Sequence, residues 1–585
     1  MRKNMIVRKK FAFISFCLAA LSCFMLICPA YSAEKADEKA IQDSDFFAQS
    51  DEHVKRAMQD EMQRSLSRLQ MDELQKPYFI AYTVADSVSS YYMAEFGTLS
   101  SVSDPYRNRK AKAEVRVGDK SFDSSLFVGD PYGSYEPIAG HSAAYGDYDS
   151  LRYSLWRLTD AAYKNALDSY AKKEAFVQSR NITELYDDLV PAPSIQQDYA
   201  GRTASFDNEK AKNLVRRLSA LFREYPDIAA SNVSIYHKNA KNYFLNSEGS
   251  RFSKISCSGA LSFHASALAQ DGHILSASDK IEFCDAEKEL PGYDSLAEKA
   301  RKLAQRLSLN VKSETIKAYI GPVLFEKGAA GKFLEGLFVN NVANPREIWK
   351  AESQWSPGYI YSRSGDLNER LGMRVFPPFI SVYDDPSQET YNGIYLLGSY
   401  KADDEGVPAE RVMLVNRGIL KDYYRFRAQT KDFSASNGHG RASVSENITG
   451  GPGNVFIWPD ETSSHVIPSS DMKAKLMELC KEQELEYGLI VRYLGGLNSA
   501  FGAYKVYADG HEEPAHSLLF TGLGLRSLRD IAYVSKEKNV YSLNWSPDAS
   551  LIHPDIIVME MEVKKSLQKP PKKPYLPHPF FSKKK

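Results

Sequence analysis

The chain has 585 residues, enough for at least two domains at about 100–200 residues each. Its 74 basic and 74 acidic side chains cancel, which excludes the net positive field that gathers nucleic acid or an anionic surface. A hydrophobic content of 43% excludes a disordered chain. The 35 tyrosines and 29 phenylalanines favour a β-rich protein, because aromatic rings suit pleated surfaces.

Arg2, Lys3, Arg8, Lys9 and Lys10 precede an apolar run, Phe11 to Ile27, and the small residues Ala30 and Ser32 follow it. This order predicts a signal peptide over 1–33 whose removal leaves no integral membrane span; an uncleaved anchor is the alternative. The expected location is the periplasm or cell envelope. Cys17, Cys23 and Cys28 leave with that segment, and Cys257, Cys284 and Cys480 remain. Export permits a Cys257–Cys284 disulfide; three buried thiols are the other reading.

Residues 34–45 read as a polar linker, and a helix is expected from Phe46 to Leu69. Strands follow in "PYFIAYTV" and "KAEVRVGD" (112–119). A helix over 149–178 buries Leu151, Leu155, Leu158, Ala162 and Ala166, spaced at three and four residues. Asp207 is placed to cap a helix over 207–225, which Pro226 ends. Alternating runs then predict a β-meander turning at Ser247-Glu248-Gly249 and at Asp271-Gly272. A helix over 295–308 should open with Ser295 and Glu298 as a capping box. Residues 46–312 therefore read as an α+β domain, helices with an antiparallel sheet.

From 318 to 565 glycine turns and strands predominate, with helices expected only near 325–341 and 469–484, so this part reads as a β-rich domain. "NRG" at 416–418 marks a hairpin, and "DIIVMEMEV" (555–563) a late strand. Residues 566–585 form a Pro- and Lys-rich tail that cannot build a core.

Four stretches occur in succession: "ISVYDDPS" (380–387), "GSYKADDEGVPAERVMLVNRGILKDYY" (398–424), "SNGHGRAS" (436–443) and "YGLIVRYLGG…AYKVYADGHEEPAHSLLFTGLG" (487–524). Their order resembles the C-terminal half of the TldD/PmbA family of metallopeptidase-related proteins. The resemblance implies an α+β N-terminal domain, a β-rich C-terminal domain, and paired subunits around a cavity that admits extended or unfolded peptides. It also implies a helical zinc site of the kind "HEAVGHGLEG". Aligning "LEG" at 334–336 puts Lys327 and Lys332 where that pattern has its histidines, and Gly328 where it has its glutamate. An ammonium group has no lone pair, so this degenerate pair cannot bind zinc.

Other residues could carry chemistry. His511, Glu512 and His516 offer a relocated metal site, although Asp509-Gly510 and Pro514 suit a solvated hairpin turn better than a helix. Asp403, Asp404 and Glu405 could bind a cation or move protons; alternatively they accept backbone N–H groups in a turn. His439 and Arg441, among glycines, could meet a peptide carboxylate or carbonyl. The expected function is an exported, zinc-less peptide-handling pseudopeptidase, or a non-catalytic subunit beside a TldD/PmbA-like paralogue or in a homodimer. No cofactor is expected unless zinc occupies a relocated site. An active metallopeptidase with such a site and a structural envelope protein are the alternatives.

Overall fold

The computed structural model describes residues 43–129, 141–142, 147–343, 346–351, 367–516 and 518–566. The expected signal peptide, the linker up to residue 42 and the tail from 567 lie outside the described residues. No helix among the described residues is long and apolar enough to cross a membrane.

Helix α1 (Asp43–Arg68) begins three residues before Phe46. Strands β1 (Phe79–Glu95) and β2 (Thr98–Arg116) form a hairpin far longer than the alternation at 112–119 suggests. The first half of β2 is largely exposed on both faces, so hydrophobic period alone does not reveal it. Helix α2 (Tyr148–Arg180) is capped by Asp147, and α3 (Asn208–Ala220) by Asp207, whose carboxylate accepts the Lys210 N–H. The meander forms as expected, with β3 (Ile228–Asn246), β4 (Arg251–Leu268) and β5 (Ile274–Phe283). Helix α4 (Tyr293–Val311) starts two residues early, with Gly292 at its cap, so the Ser295–Glu298 box does not form. The sheet runs β2-β1-β3-β4-β5, and β5 pairs on one side only among the described residues.

Even-numbered residues of β1, including Ile80, Tyr82, Val84, Tyr92 and Ala94, are buried on the helical side. Leu155 and Leu158 of α2 and Val54 and Met58 of α1 pack there at one end. At the other end Val215 and Leu218 of α3, with Leu296, Leu303 and Leu307 of α4, cover Phe263 of β4. Alternation sends Ser262 and His264 to the opposite face. Cys257 and Cys284 form a disulfide beside the Gly259–Phe283 pair of β4 and β5; Cys480 is a buried thiol.

The C-terminal half is built on one large sheet. Its strands include β6 (Ala318–Phe325), β7 (Ile380–Asp384), β8 (Val412–Asn416) and β9 (Asn454–Pro459). Helix α5 (Lys327–Leu337) follows β6, and helix α6 (Met472–Glu482) precedes β10 (Tyr487–Gly496). Then come β11 (Ser499–Tyr507), β12 (Glu512–His516), β13 (Leu518–Thr521), β14 (Ile531–Leu543) and β15 (Ala549–Lys565). The order is β8-β7-β9-β15-β6-β10-β11-β12. Val323, Phe325, Leu489, Val491, Ile556 and Val558 meet Ala330, Phe333 and Leu334 of α5. Their neighbours Leu324, Ile490 and Ile557 face the other way, onto Leu476 and Cys480 of α6. Central strands covered on both faces read as continuous apolar runs. The described residues from Asp43 onward form one compact unit.

Asp86 and Arg109 stand opposite each other on β1 and β2, buried, with two N–H···O contacts of 2.6 and 2.8 Å. Replacing one partner strands a buried charge and should cost about 3–5 kcal/mol. In urea titrations, Arg109→Met should therefore lower stability by that amount, and Asp86→Leu/Arg109→Met together by less.

Candidate functional site

Helix α5 starts under unusual constraint. Lys327, its first residue, has φ of 45°, and the preceding Glu326 provides no side-chain cap. The cap comes from β15 instead, where Asp555 accepts the Lys327 N–H at 2.7 Å and the Asn539 amide at 2.9 Å. Burial raises the Asp555 pKa, and the Lys327 N–H works against it. One turn from its end, α5 is tied again. Glu335 is buried and accepts the Asn544 N–H at 2.7 Å and the Tyr541 hydroxyl at 3.2 Å. Between these ties, Gly331 lies against Tyr541 and His553; an added Cβ would come within 2.5 Å of Tyr541 Cγ.

This fixed helix presents Lys327 and Lys332 to a cavity of about 1230 Å³. The far wall is the sheet of the N-terminal half, with Ser262 and His264 of β4 and Ser278 and Lys280 of β5. Tyr541, Ser542 and Ser550 line it from β14 and β15. Eight Lys or Arg side chains border the cavity against four Asp or Glu. Five of the eight are ion-paired, such as Arg492 with Glu326 and Lys299 with Asp279. Arg306, Lys327 and Lys332 form no ion pair among the described residues. Burial lowers the His264 pKa, so its ring is neutral near pH 7.

The lysine pair does not fit a metal. Lys327 and Lys332 offer no lone pair while protonated. The carboxylates nearest in sequence are already engaged, Glu326 by Arg492 at 2.7 Å and Glu335 by Tyr541 and Asn544. No chemistry through zinc follows from this helix.

The structure does not bring His511, Glu512 and His516 together. His511 is exposed and stacks on Tyr507. Glu512 is held by Arg492, at 2.9 and 3.2 Å, and by Lys473 at 2.7 Å. Residues 512–516 are strand, not solvated turn, and four residues of strand separate Glu512 from His516 by about 13 Å. His516 is 2% exposed and faces Asp271 of the N-terminal half. The sequence pattern missed this because partners from another element are invisible in a local spacing.

Asp403, Asp404, Glu405, His439 and Arg441 do converge, but in the interior. Asp403 accepts the N–H groups of Glu405, Val407 and Gly440. Asp404 meets Lys254 and Arg441. Glu405 accepts the Arg427 N–H at 2.7 Å. Gly440 is needed here, since a Cβ would sit 2.6 Å from Glu405 Oε2 and 3.0 Å from Asp403 Oδ2. His439 is fully buried; its Nδ1 donates to the Asn437 carbonyl at 2.9 Å. Burial, reinforced by Glu405, pushes Asp403 up to about 8, and burial pushes Glu405 up to about 7 against the pull of Arg427. These groups interlock the two halves, as Lys254 belongs to β4.

Comparison with known proteins agrees with this architecture. Residues 318–565 match the family described as PmbA/TldA metallopeptidase C-terminal domain. The C-terminal domain of this chain, residues 318–565, is thus similar to that of the TldD/PmbA family. A metalloprotease of Methanocaldococcus jannaschii is 24% identical over 245 residues, which are 41% of this chain and 49% of that relative; the chain thus spans about half of it. The fold is shared with a proposed modulator of a DNA gyrase from Thermotoga maritima, at a TM-score of 0.56 and 15% identity. That match covers 88% of this chain and 99% of the other. TldE from Thermococcus kodakarensis aligns at a TM-score of 0.53 and 15% identity, covering 87% and 99%.

Two outcomes follow. Gly331→Ala forces Tyr541 and His553 apart and should destabilise by about 1–3 kcal/mol in chemical denaturation. The buried Asp403–Glu405 pair keeps protons that an unfolded chain releases above about pH 4. The unfolded state therefore binds fewer protons in that window, and this contribution to stability falls as pH rises toward 8. Denaturation midpoints between pH 5 and 8 should decline more steeply for the native chain than for Asp403→Asn.

Proposed function

We propose that this TldD/PmbA-family protein is exported and handles extended peptides without the zinc chemistry of its family. It acts as a pseudopeptidase, or as the non-catalytic subunit beside a zinc-bearing paralogue. The observation that carries this reading is the cavity-facing pair Lys327 and Lys332 on a rigidly held α5. Such a helix can attract a substrate carboxylate but cannot activate a metal-bound water.

The cavity's shape supports peptides over compact ligands. Strand β5 borders it and pairs on one side only among the described residues, so its remaining N–H and C=O groups can accept an added strand of any sequence. Lys327, Lys332 and Arg306 supply positive charge for a C-terminal carboxylate or acidic side chain. Pairing along the backbone would give affinity, and the cations would set direction.

Anisotropy titration of a labelled, unfolded acidic peptide tests this, with mass spectrometry of the same mixture to follow cleavage. Saturable binding without turnover is expected. Each partly exposed lysine contributes about 0.5–1 kcal/mol, so Lys327→Glu/Lys332→Glu should weaken binding by about tenfold or more. Cleavage by the purified chain, abolished by a chelator, would overturn the proposal. So would failure to bind peptide both alone and with a co-purified paralogue.

A further inference from the structure

Outside the cavity, the turn between β4 and β5 brings a different set of groups against β12. Asp271 and His273 lie in that turn, and His516 ends β12. Their ligand-type atoms all fall within 4.8 Å of one another. The Asp271 carboxylate is divided in its duties. Oδ1 accepts the His273 backbone N–H at 3.2 Å, which aims the carboxylate. Oδ2 stands 3.0 Å from His273 Nδ1 and 3.4 Å from His516 Nε2.

The tautomer of His516 can be read from its other nitrogen. Ser313 Oγ lies 2.7 Å from the Asn310 carbonyl, which only accepts, so the hydroxyl proton goes there. The same Oγ is 2.8 Å from His516 Nδ1 and must accept from it. His516 therefore carries its proton on Nδ1 when neutral, and its Nε2 lone pair points toward the anionic Asp271 Oδ2. A lone pair facing a carboxylate at 3.4 Å is repulsive unless a cation lies between them.

We propose that Asp271, His273 and His516 form a binding site for a divalent cation of the zinc type. Two imidazoles and a carboxylate are a donor set that zinc accepts, and ligand atoms about 2.0–2.1 Å from a tetrahedral ion lie about 3.3 Å apart. The observed 3.0 and 3.4 Å separations match that spacing, and the two imidazole nitrogens lie within 4.8 Å of each other, so a small side-chain adjustment completes the set. Asp271 is the exposed member, leaving the fourth position to solvent. Ser313 does the work of an outer partner, fixing the His516 ring and its tautomer. Because Asp271 and His273 come from the meander and His516 from the C-terminal sheet, the ion would staple the two halves together. This site is independent of α5 and of the peptide cavity.

Zinc alone is the probe, titrated calorimetrically into the purified full chain after chelation and desalting. Cobalt(II) substitution then reports coordination geometry. The expected result is one zinc per chain, a higher melting temperature with zinc, and the intense visible bands of tetrahedral cobalt. His516→Gln and Asp271→Asn should each weaken binding by about 100-fold or more, and Ser313→Ala by about tenfold. His511→Ala, on the exposed turn, and Lys332→Ala, on α5, should leave it unchanged. Asp271→Asn lies on a surface turn and keeps the test open if the histidine variant fails to fold. Absence of zinc binding to the native chain would overturn the proposal. So would binding that survives both Asp271→Asn and His516→Gln within a few-fold.

Discussion

The two lysines that α5 shows to the cavity are aimed by one contact, the acceptance of the Lys327 N–H by Asp555. An uncapped helix start leaves several backbone donors without partners, and a carboxylate there also meets the positive end of the helix dipole. Here the carboxylate comes from the last long strand of the sheet, more than two hundred residues later in the chain. The helix is thereby locked to β15 at its beginning and, through Glu335, to the β14–β15 connection near its end. With Gly331 pressed against Tyr541, α5 has no freedom to turn its lysines away. The helix is thus a rigid surface that presents Lys327 and Lys332 to the cavity.

The two halves are joined by charge as well as by apolar packing. Lys254 of β4 reaches Asp404, Arg427 reaches Glu248 beyond the end of β3, and Arg346 meets Asp188. Buried ion pairs of this kind contribute little net stability compared with an apolar contact, but they penalise any arrangement that leaves one partner alone. They fix the orientation of the N-terminal sheet over α5, and so the width of the cavity. Asp271, His273 and His516 bring groups of both halves together elsewhere on the interface.

The legible part of the fold was the part governed by local period. Helices α2 and α3, the meander with its turns near 247–249 and 271–272, and the hairpin at 416–418 all have apolar spacing or turn residues that act over a few positions. The first half of β2 was not legible, because its residues are largely exposed on both faces and are held by ladder bonds to β1. The capping box at Ser295 does not form because the helix begins two residues earlier, at Tyr293, whose ring packs against the core. Among candidate residues, Lys327 and Lys332 were placed by the family resemblance and do face a cavity. His516 was noticed for the wrong neighbours. Of its neighbours in the fold, Asp271 is legible only as a turn residue, and His273 carries no local signal. Asp403, Glu405 and His439 drew attention as reactive types, yet their surroundings make them interior structure.

Entry of extended peptides between β5 and α5 is the central proposal for this protein. Hydrogen–deuterium exchange of the purified protein, with and without a saturating unfolded peptide, addresses that claim directly. Slowed exchange is predicted along Ile274–Phe283, where an added strand would occupy the open edge, and at the first turn of α5. Protection confined to other strands, or none at saturation, would contradict it.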